Sequence, residues 1–124
     1  LMKPYLIDHV ENAGGQTVKK FMPSAYGGLM SGEDAAVLTE LMTAVVTEGT
    51  GSALRGALYT AAGKTGSAEF ETGKETHAWF VGFAPVEDPK IAVCVILEES
   101  GSGGSKAGPV ARAVMDKYFE KNPQ

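Results

Sequence analysis

The pattern of apolar and polar positions divides the first half of the chain into a strand-like part and a helix-like part. Apolar and polar residues alternate in residues 4–12 and again in QTVKKF, with AGG between them, which predicts a β-hairpin with a glycine turn. In residues 33–48 apolar side chains recur at steps of one, three and four, which predicts an α-helix with Ser31 as its N-cap. We expect its apolar stripe to pack in the core; the stripe consists of Val37, Leu38, Leu41, Met42 and Val45.

The second half of the chain has the pattern of a sheet followed by a helix. THAWFVGFAPV and KIAVCVILEE are apolar runs rich in β-branched and aromatic residues, and the EDP between them is a turn sequence, so we predict adjacent antiparallel strands. The second run is nearly continuous, which predicts a central strand covered on both faces, with Cys94 packed as a small apolar group. SGSGGSKAG predicts a flexible connecting loop, and PVARAVMDKYFEKN predicts an amphipathic helix with proline at N1 and with Val110, Val114 and Tyr118 on one face. The fold class is therefore α+β, an antiparallel sheet covered by helices, in a single unit of residues 1–124.

Composition excludes several classes of function. The net charge of −4 argues against a nucleic-acid partner, because phosphate binding requires a basic face. The longest apolar run, seven residues, is far shorter than the roughly 20 that cross a bilayer, so we expect no membrane anchor in this chain. His9 and His77 lie far apart without metal-ligand spacing, so we expect no metal and no cofactor, and a structural role for His77.

The stretch AAGKTGSAEF is the strongest candidate for chemistry. It ends like the phosphate loop GxxxxGK[ST], but five residues before Gly63 stands a leucine, and the residues that follow lead to a strand instead of a helix. We therefore reject a phosphate site. As a strand beside a cleft, the segment offers the positive charge of Lys64, the hydroxyls of Thr65 and Ser67, and space at Gly66, which together suit a peptide carboxylate.

The sequence on both sides of this strand indicates a protein family. GKTGSAE is preceded by MTAVVTEGTGSALRG and followed by HAWFVGFAPVEDPKIAVCVILEE. In this combination the chain resembles, over nearly its whole length, the penicillin-binding proteins, which are serine D,D-transpeptidases that cross-link bacterial peptidoglycan. Serine β-lactamases share KTG, but the SAE and WFVGFAP segments resemble the transpeptidases, and we expect the monofunctional class B kind. The resemblance implies the C-terminal portion of a β-lactamase/transpeptidase-like fold.

The resemblance also implies roles for the site residues. Lys64 lies near the Ser-x-Asn serine, where it holds positive potential in the cleft and helps to tune proton transfer from the nucleophile. Thr65 and Ser67 bind the carboxylate of a stem peptide or a β-lactam, and Gly66 leaves room for the substrate. The backbone N–H of Ser67 forms half of the oxyanion hole. No serine in the chain is followed three places later by lysine, and no Ser-x-Asn occurs, so the nucleophile is expected outside it.

These implications define the partners and the location that we expect. The partners are stem peptides, β-lactams and the remainder of a longer transpeptidase, which the family anchors in the cytoplasmic membrane with this domain on the outer face. We expect the chain alone to be inactive and to self-associate through exposed apolar surface. Two alternatives stay open: a β-lactamase or β-lactam sensor of the same fold, and a non-catalytic scaffold module that binds peptides. Motifs in the preceding residues would distinguish them.

Overall fold

The structure is a computed structural model that describes residues 1–123. Contacts within the chain group it into two compact units, Leu1–Ala35 and Ala36–Gln124. We describe each unit by itself, and every candidate site residue belongs to the larger one.

The smaller unit contains the predicted hairpin. Strand β1 (His9–Glu11) pairs antiparallel with β2 (Thr17–Lys20). The side-chain oxygen of Asn12 closes the turn by accepting the backbone N–H groups of Gly14 at 3.0 Å and Gln16 at 3.1 Å. The prediction of a hairpin with a glycine turn is confirmed, with strands shorter than the alternating pattern.

Helix α1 spans Gly32–Thr47 and begins where the sequence predicts. The backbone N–H of Asp34 donates to Ser31 Oγ at 3.1 Å, and the Ser31 hydroxyl donates to the Asp34 carboxylate at 2.7 Å. This reciprocal pair satisfies a free donor of the first helical turn, so the N-cap prediction is confirmed.

The apolar stripe of α1 is not the core face that we predicted. Val37, Leu38 and Leu41 are 57%, 43% and 61% exposed, and the buried residue of the helix is Val46. Helical periodicity identified the apolar face correctly, but no described element of the larger unit buries these three side chains. An exposed apolar stripe of this kind favours association, and self-association of the isolated chain stays a prediction.

The sheet of the larger unit has three antiparallel strands in the order β3–β4–β5. They are β3 (Ala62–Ala68), β4 (His77–Ala84) and β5 (Ile91–Leu97). Thr65 lies opposite Phe80 in the register. The prediction that the two apolar runs form adjacent antiparallel strands is confirmed.

Within residues 1–123, β5 is an edge strand and not the central strand that we predicted. Exposure alternates along it: Val93 and Val95 pack against the core, whereas Cys94 and Ile96 are exposed. The predictions of two covered faces and of a packed cysteine are therefore wrong for the larger unit, because no described element of that unit covers the second face.

The core lies on one face of this sheet and centres on the ring of Phe80, which is fully buried. A Cβ added at Gly63 would lie 2.4 Å from the Phe80 ring, and one at Gly82 would lie 2.8 Å from it. Gly63 and Gly82 lie opposite each other in the register, and the absence of their side chains leaves the space that the Phe80 ring fills. Part of the GKTG segment therefore packs against the core.

Helix α2 (Gly108–Lys121) begins with proline in its first turn, as predicted, but buries a different stripe. Val110 and Val114 are 40% and 46% exposed, whereas Ala111 and Met115 are fully buried. The buried stripe is displaced by one position, because alanine allows close packing against the sheet. Neither helix described in residues 1–123 has both the length and the apolar character needed to span a membrane.

Hydrogen bonds join the segment that precedes β3 to helix α2. The Tyr59 hydroxyl donates to Asp116 at 2.7 Å, and Arg112 Nε donates to both oxygens of the same carboxylate at 2.8 Å. Burial, followed by the hydrogen bond with Asp116, raises the pKa of Tyr59 above its ordinary value. The neutral phenol is thus the form that the fold stabilises, and it holds the start of β3 in place.

Candidate active site at the edge of the sheet

Strand β3 carries the candidate residues at an open edge of the sheet. Lys64, Thr65, Gly66 and Ser67 follow one another in β3, which pairs only with β4 among residues 1–123. An edge strand presents unpaired backbone N–H and C=O groups along its outer side. It can therefore bind an extended peptide or the oxygen atoms of an anion.

Strand alternation places the lysine and the two hydroxyls on opposite faces of β3. Lys64 lies opposite the exposed Val81, and Thr65 lies opposite the buried Phe80. The Nζ atom of Lys64 donates to the backbone carbonyl of Thr65, so the cation lies against the strand. Ser67 shares the face of Thr65 and is exposed.

Thr65 makes a side-chain contact that the sequence did not reveal. Only 9% of Thr65 is exposed, and its Oγ1 lies 2.6 Å from Oγ1 of Thr50, where either atom can donate. Thr50 lies in the EGTG turn between α1 and the short 3-10 helix Ser52–Leu54. The sequence gives one weak indication that Thr50 contacts the site: its hydroxyl lies between Gly49 and Gly51, in the segment that carries the family resemblance.

The loop after β5 packs directly on β3, although the sequence predicted a flexible connector. The backbone N–H of Gly103 donates to Ser67 Oγ over a long distance of 3.4 Å. A Cβ at Gly103 would lie 2.3 Å from the carbonyl oxygens of both Gly66 and Trp79. Residues Gly103–Ala107 form a π-helical turn leading into α2. The segment connects β5 to α2 as predicted, but its second half is helical and packs closely on β3, and this close backbone approach requires glycine.

His77 lies near this edge but makes the contacts of a structural residue. Its Nδ1 accepts the backbone N–H of Glu99 at 3.1 Å, and its ring stacks on Phe70 with centroids 4.0 Å apart. Since Nδ1 accepts a hydrogen bond, the hydrogen of the neutral ring is on Nε2.

The arrangement supplies donors for a carboxylate. The hydroxyls of Thr65 and Ser67 can each donate one hydrogen bond, and an ionised carboxylate only accepts. The Lys64 ammonium adds positive charge on the same strand, and charge-assisted hydrogen bonds to a carboxylate are the stronger kind. The edge of β3 is therefore suited to hold the carboxylate of an extended ligand.

Comparison with known proteins gives the relatives of this chain. Residues 1–116 match the penicillin binding protein transpeptidase domain. A peptidoglycan D,D-transpeptidase PbpA of Mycolicibacterium smegmatis is 37% identical over 124 residues, which cover 92% of this chain and 25% of that protein. The MrdA peptidoglycan D,D-transpeptidase of Haemophilus influenzae is 42% identical over 88 residues, which cover 59% of this chain and 14% of that protein.

Solved structures have the same fold. The D,D-transpeptidase domain of a peptidoglycan glycosyltransferase from Eggerthella lenta aligns with a TM-score of 0.81 and 34% identity, covering 98% of this chain and 28% of that one. Penicillin-binding protein A of Mycobacterium tuberculosis, as a ceftriaxone acyl-enzyme, aligns with a TM-score of 0.76 and 33% identity over 93% of this chain and 27% of that one. The α+β fold class is confirmed, and the chain spans about a quarter of the length of PbpA and of these solved chains, and a smaller share of MrdA.

Proposed function

Because the chain belongs to the penicillin-binding protein transpeptidase family, we propose that it supplies the KTG strand of a peptidoglycan D,D-transpeptidase. The observation that supports this most is that one strand with an open outer edge carries Lys64 on one face and the hydroxyls of Thr65 and Ser67 on the other. In this proposal the two hydroxyls bind the carboxylate of the stem peptide, and Gly66 leaves room for its backbone. A chain of 124 residues without Ser-x-x-Lys needs a nucleophile from outside.

The proposed reaction is acyl transfer. The external serine attacks the carbonyl carbon of the bond before the terminal D-alanine, and the C–N bond breaks so that D-alanine leaves with a proton. An amine of a second stem peptide then attacks the ester and frees the serine. The backbone N–H of Ser67 would stabilise the negative oxygen of each tetrahedral intermediate together with a donor near the serine. Lys64 would keep positive potential beside the serine and assist its deprotonation.

The proposed inhibitors are β-lactams. Structures of penicillin-binding protein A of M. tuberculosis are acyl-enzyme complexes with ceftriaxone, imipenem and penicillin G. We propose that the same class acylates the protein to which this chain contributes, with its carboxylate on Thr65 and Ser67. The proposal includes a class B parent anchored in the cytoplasmic membrane, with the remainder of the transpeptidase domain as the partner of this chain.

A labelling experiment tests the proposed function. A fluorescent penicillin is expected to label the protein when residues preceding Leu1 are included, and to leave the 124-residue chain unlabelled, because the chain has no nucleophile motif. The measurement is in-gel fluorescence after denaturation, with excess unlabelled penicillin as the control. Stable labelling of the short chain would contradict the proposal.

The same experiment separates a β-lactamase and a scaffold module from a transpeptidase. A β-lactamase of this fold would release the label quickly as hydrolysed penicillin, and a scaffold module would take up no label in either length. A β-lactam sensor would keep the label as a transpeptidase does, but only a transpeptidase would also join two stem peptides.

A further inference from the structure

We propose that Thr50 is a positioning residue for the carboxylate-binding edge. Its hydroxyl donates to Thr65 Oγ1, which leaves the hydrogen of the Thr65 hydroxyl free to donate to the ligand carboxylate. This role rests on the proposed function, because it concerns how that site holds its ligand.

The contact between the two hydroxyls is short and part-buried, because Thr65 is buried whereas Thr50 is exposed. The oxygen atoms are 2.6 Å apart, at the short end of the range for O–H···O hydrogen bonds. Thr65 is only 9% exposed, so few water molecules can replace Thr50 as its partner. The orientation of the Thr65 hydroxyl therefore depends on its hydrogen bond with Thr50.

Counting hydrogens gives the direction of the contact when a ligand is bound. Each threonine hydroxyl has one hydrogen, and an ionised carboxylate has none. If Thr65 donates to the carboxylate, its contact with Thr50 must use the Thr50 hydrogen. Two hydrogen bonds in series polarise each other, so the donation from Thr50 strengthens the bond from Thr65 to the ligand.

Thr50 is itself held by backbone packing. The N–H of Gly51 donates to the carbonyl of Val45 at 2.8 Å, which fixes the turn after α1. A Cβ at Gly104 would lie 2.4 Å from the Thr50 carbonyl oxygen, so the loop after β5 packs closely against this turn. The neighbouring Gly103 donates to Ser67. The EGTG turn and the loop after β5 thus touch each other, and each contacts one hydroxyl of β3.

The test compares variants of the full-length protein that carries the nucleophile. Thr50→Val removes the hydroxyl with little change of shape, Thr50→Ser keeps it, and Thr50→Ala is a second hydroxyl-free variant. Thr47→Val is the matched control, because the Thr47 hydroxyl only donates to the Thr43 carbonyl within α1, at 3.3 Å. The second-order rate of acylation by penicillin is measured for each, together with its melting temperature.

We expect Thr50→Val and Thr50→Ala to lower the acylation rate about tenfold, the effect of losing one hydrogen bond. Thr50→Ser and Thr47→Val should stay within about twofold of the unsubstituted protein, since the hydroxyl contact is kept in both. With a thioester substrate whose carboxylate is esterified, all variants should react at the same rate, because the ligand no longer offers the ionised carboxylate that Thr65 binds.

Three results would overturn this role: unchanged acylation in Thr50→Val, an equal loss in Thr50→Ser, or an equal loss with the esterified substrate. If the unsubstituted protein takes up no penicillin at all, the proposed function fails and this role fails with it. By contrast, if the unsubstituted protein is labelled and the labelling rate does not depend on Thr50, only the role of Thr50 fails and the proposed function stands.

Discussion

Replacing Lys64 with alanine in the protein that carries the nucleophile is expected to slow acylation by penicillin by about 10² to 10⁴-fold, the range for loss of a group that assists proton transfer. The lysine lies against β3 with Nζ at the Thr65 carbonyl, so its charge is held on the strand that we propose binds the ligand. Removing it takes away the positive potential that favours the serine alkoxide and the substrate carboxylate. Stopped-flow acylation kinetics measure this directly.

Lys90 provides the control for the substitution of Lys64. It is an exposed lysine beside the β4–β5 turn of the same sheet, where it pairs with Asp88. Lys90→Ala should acylate at the normal rate, and Lys64→Arg should retain part of the activity because it keeps the charge. If Lys64→Ala acylates as fast as Lys90→Ala, Lys64 has no part in the reaction.

Adding one methyl group at Gly103 is expected to lower both the stability and the reactivity of the protein. The new Cβ would lie 2.3 Å from two backbone oxygens, those of Gly66 and Trp79, and neither can rotate away as a side chain would. Overpacking of this kind typically costs about 1–3 kcal/mol of the free energy of unfolding. Because the loop must move away from β3, the contact of Gly103 with Ser67 is lost as well.

Chemical denaturation and penicillin acylation of Gly103→Ala measure the two effects. Gly32→Ala is the matched control, since a Cβ at Gly32 has no heavy atom within 4 Å and should change neither quantity. A Gly103→Ala protein with the stability and acylation rate of the unsubstituted protein would show that the loop after β5 does not determine the position of Ser67.

The sequence predicted correctly those structural elements that depend on residues close together in the chain. The Ser31 cap depends on a residue three positions away, and the hairpin turn depends on Asn12 and the glycines that follow it. The strands followed from β-branched and aromatic runs, and the family resemblance followed from GKTGSAE and its flanking segments. The family match over residues 1–116 confirms that resemblance.

Predictions failed where the outcome depends on what covers a face. The apolar stripe of α1 and the run that contains Cys94 were recognised as apolar, but periodicity does not show whether a partner covers them. In α2 the pattern marked the larger Val110 and Val114, although close packing against the sheet selected Ala111 and Met115 instead.

The supporting contacts of the site join distant parts of the chain. Thr50 and Thr65 are 15 residues apart, and Ser67 and Gly103 are 36 apart, so no local spacing links them. The KTG strand itself could be recognised because its residues are consecutive in the sequence. The residues that hold it in place could be found only in the fold.

The most direct test of the proposed site is a crystal structure of the longer protein acylated by penicillin G. We predict that the ligand carboxylate lies about 3 Å from the hydroxyls of Thr65 and Ser67, within hydrogen-bonding distance at the open edge of β3. A penicillin adduct whose carboxylate is bound elsewhere, with this edge unoccupied, would contradict the assignment of the site.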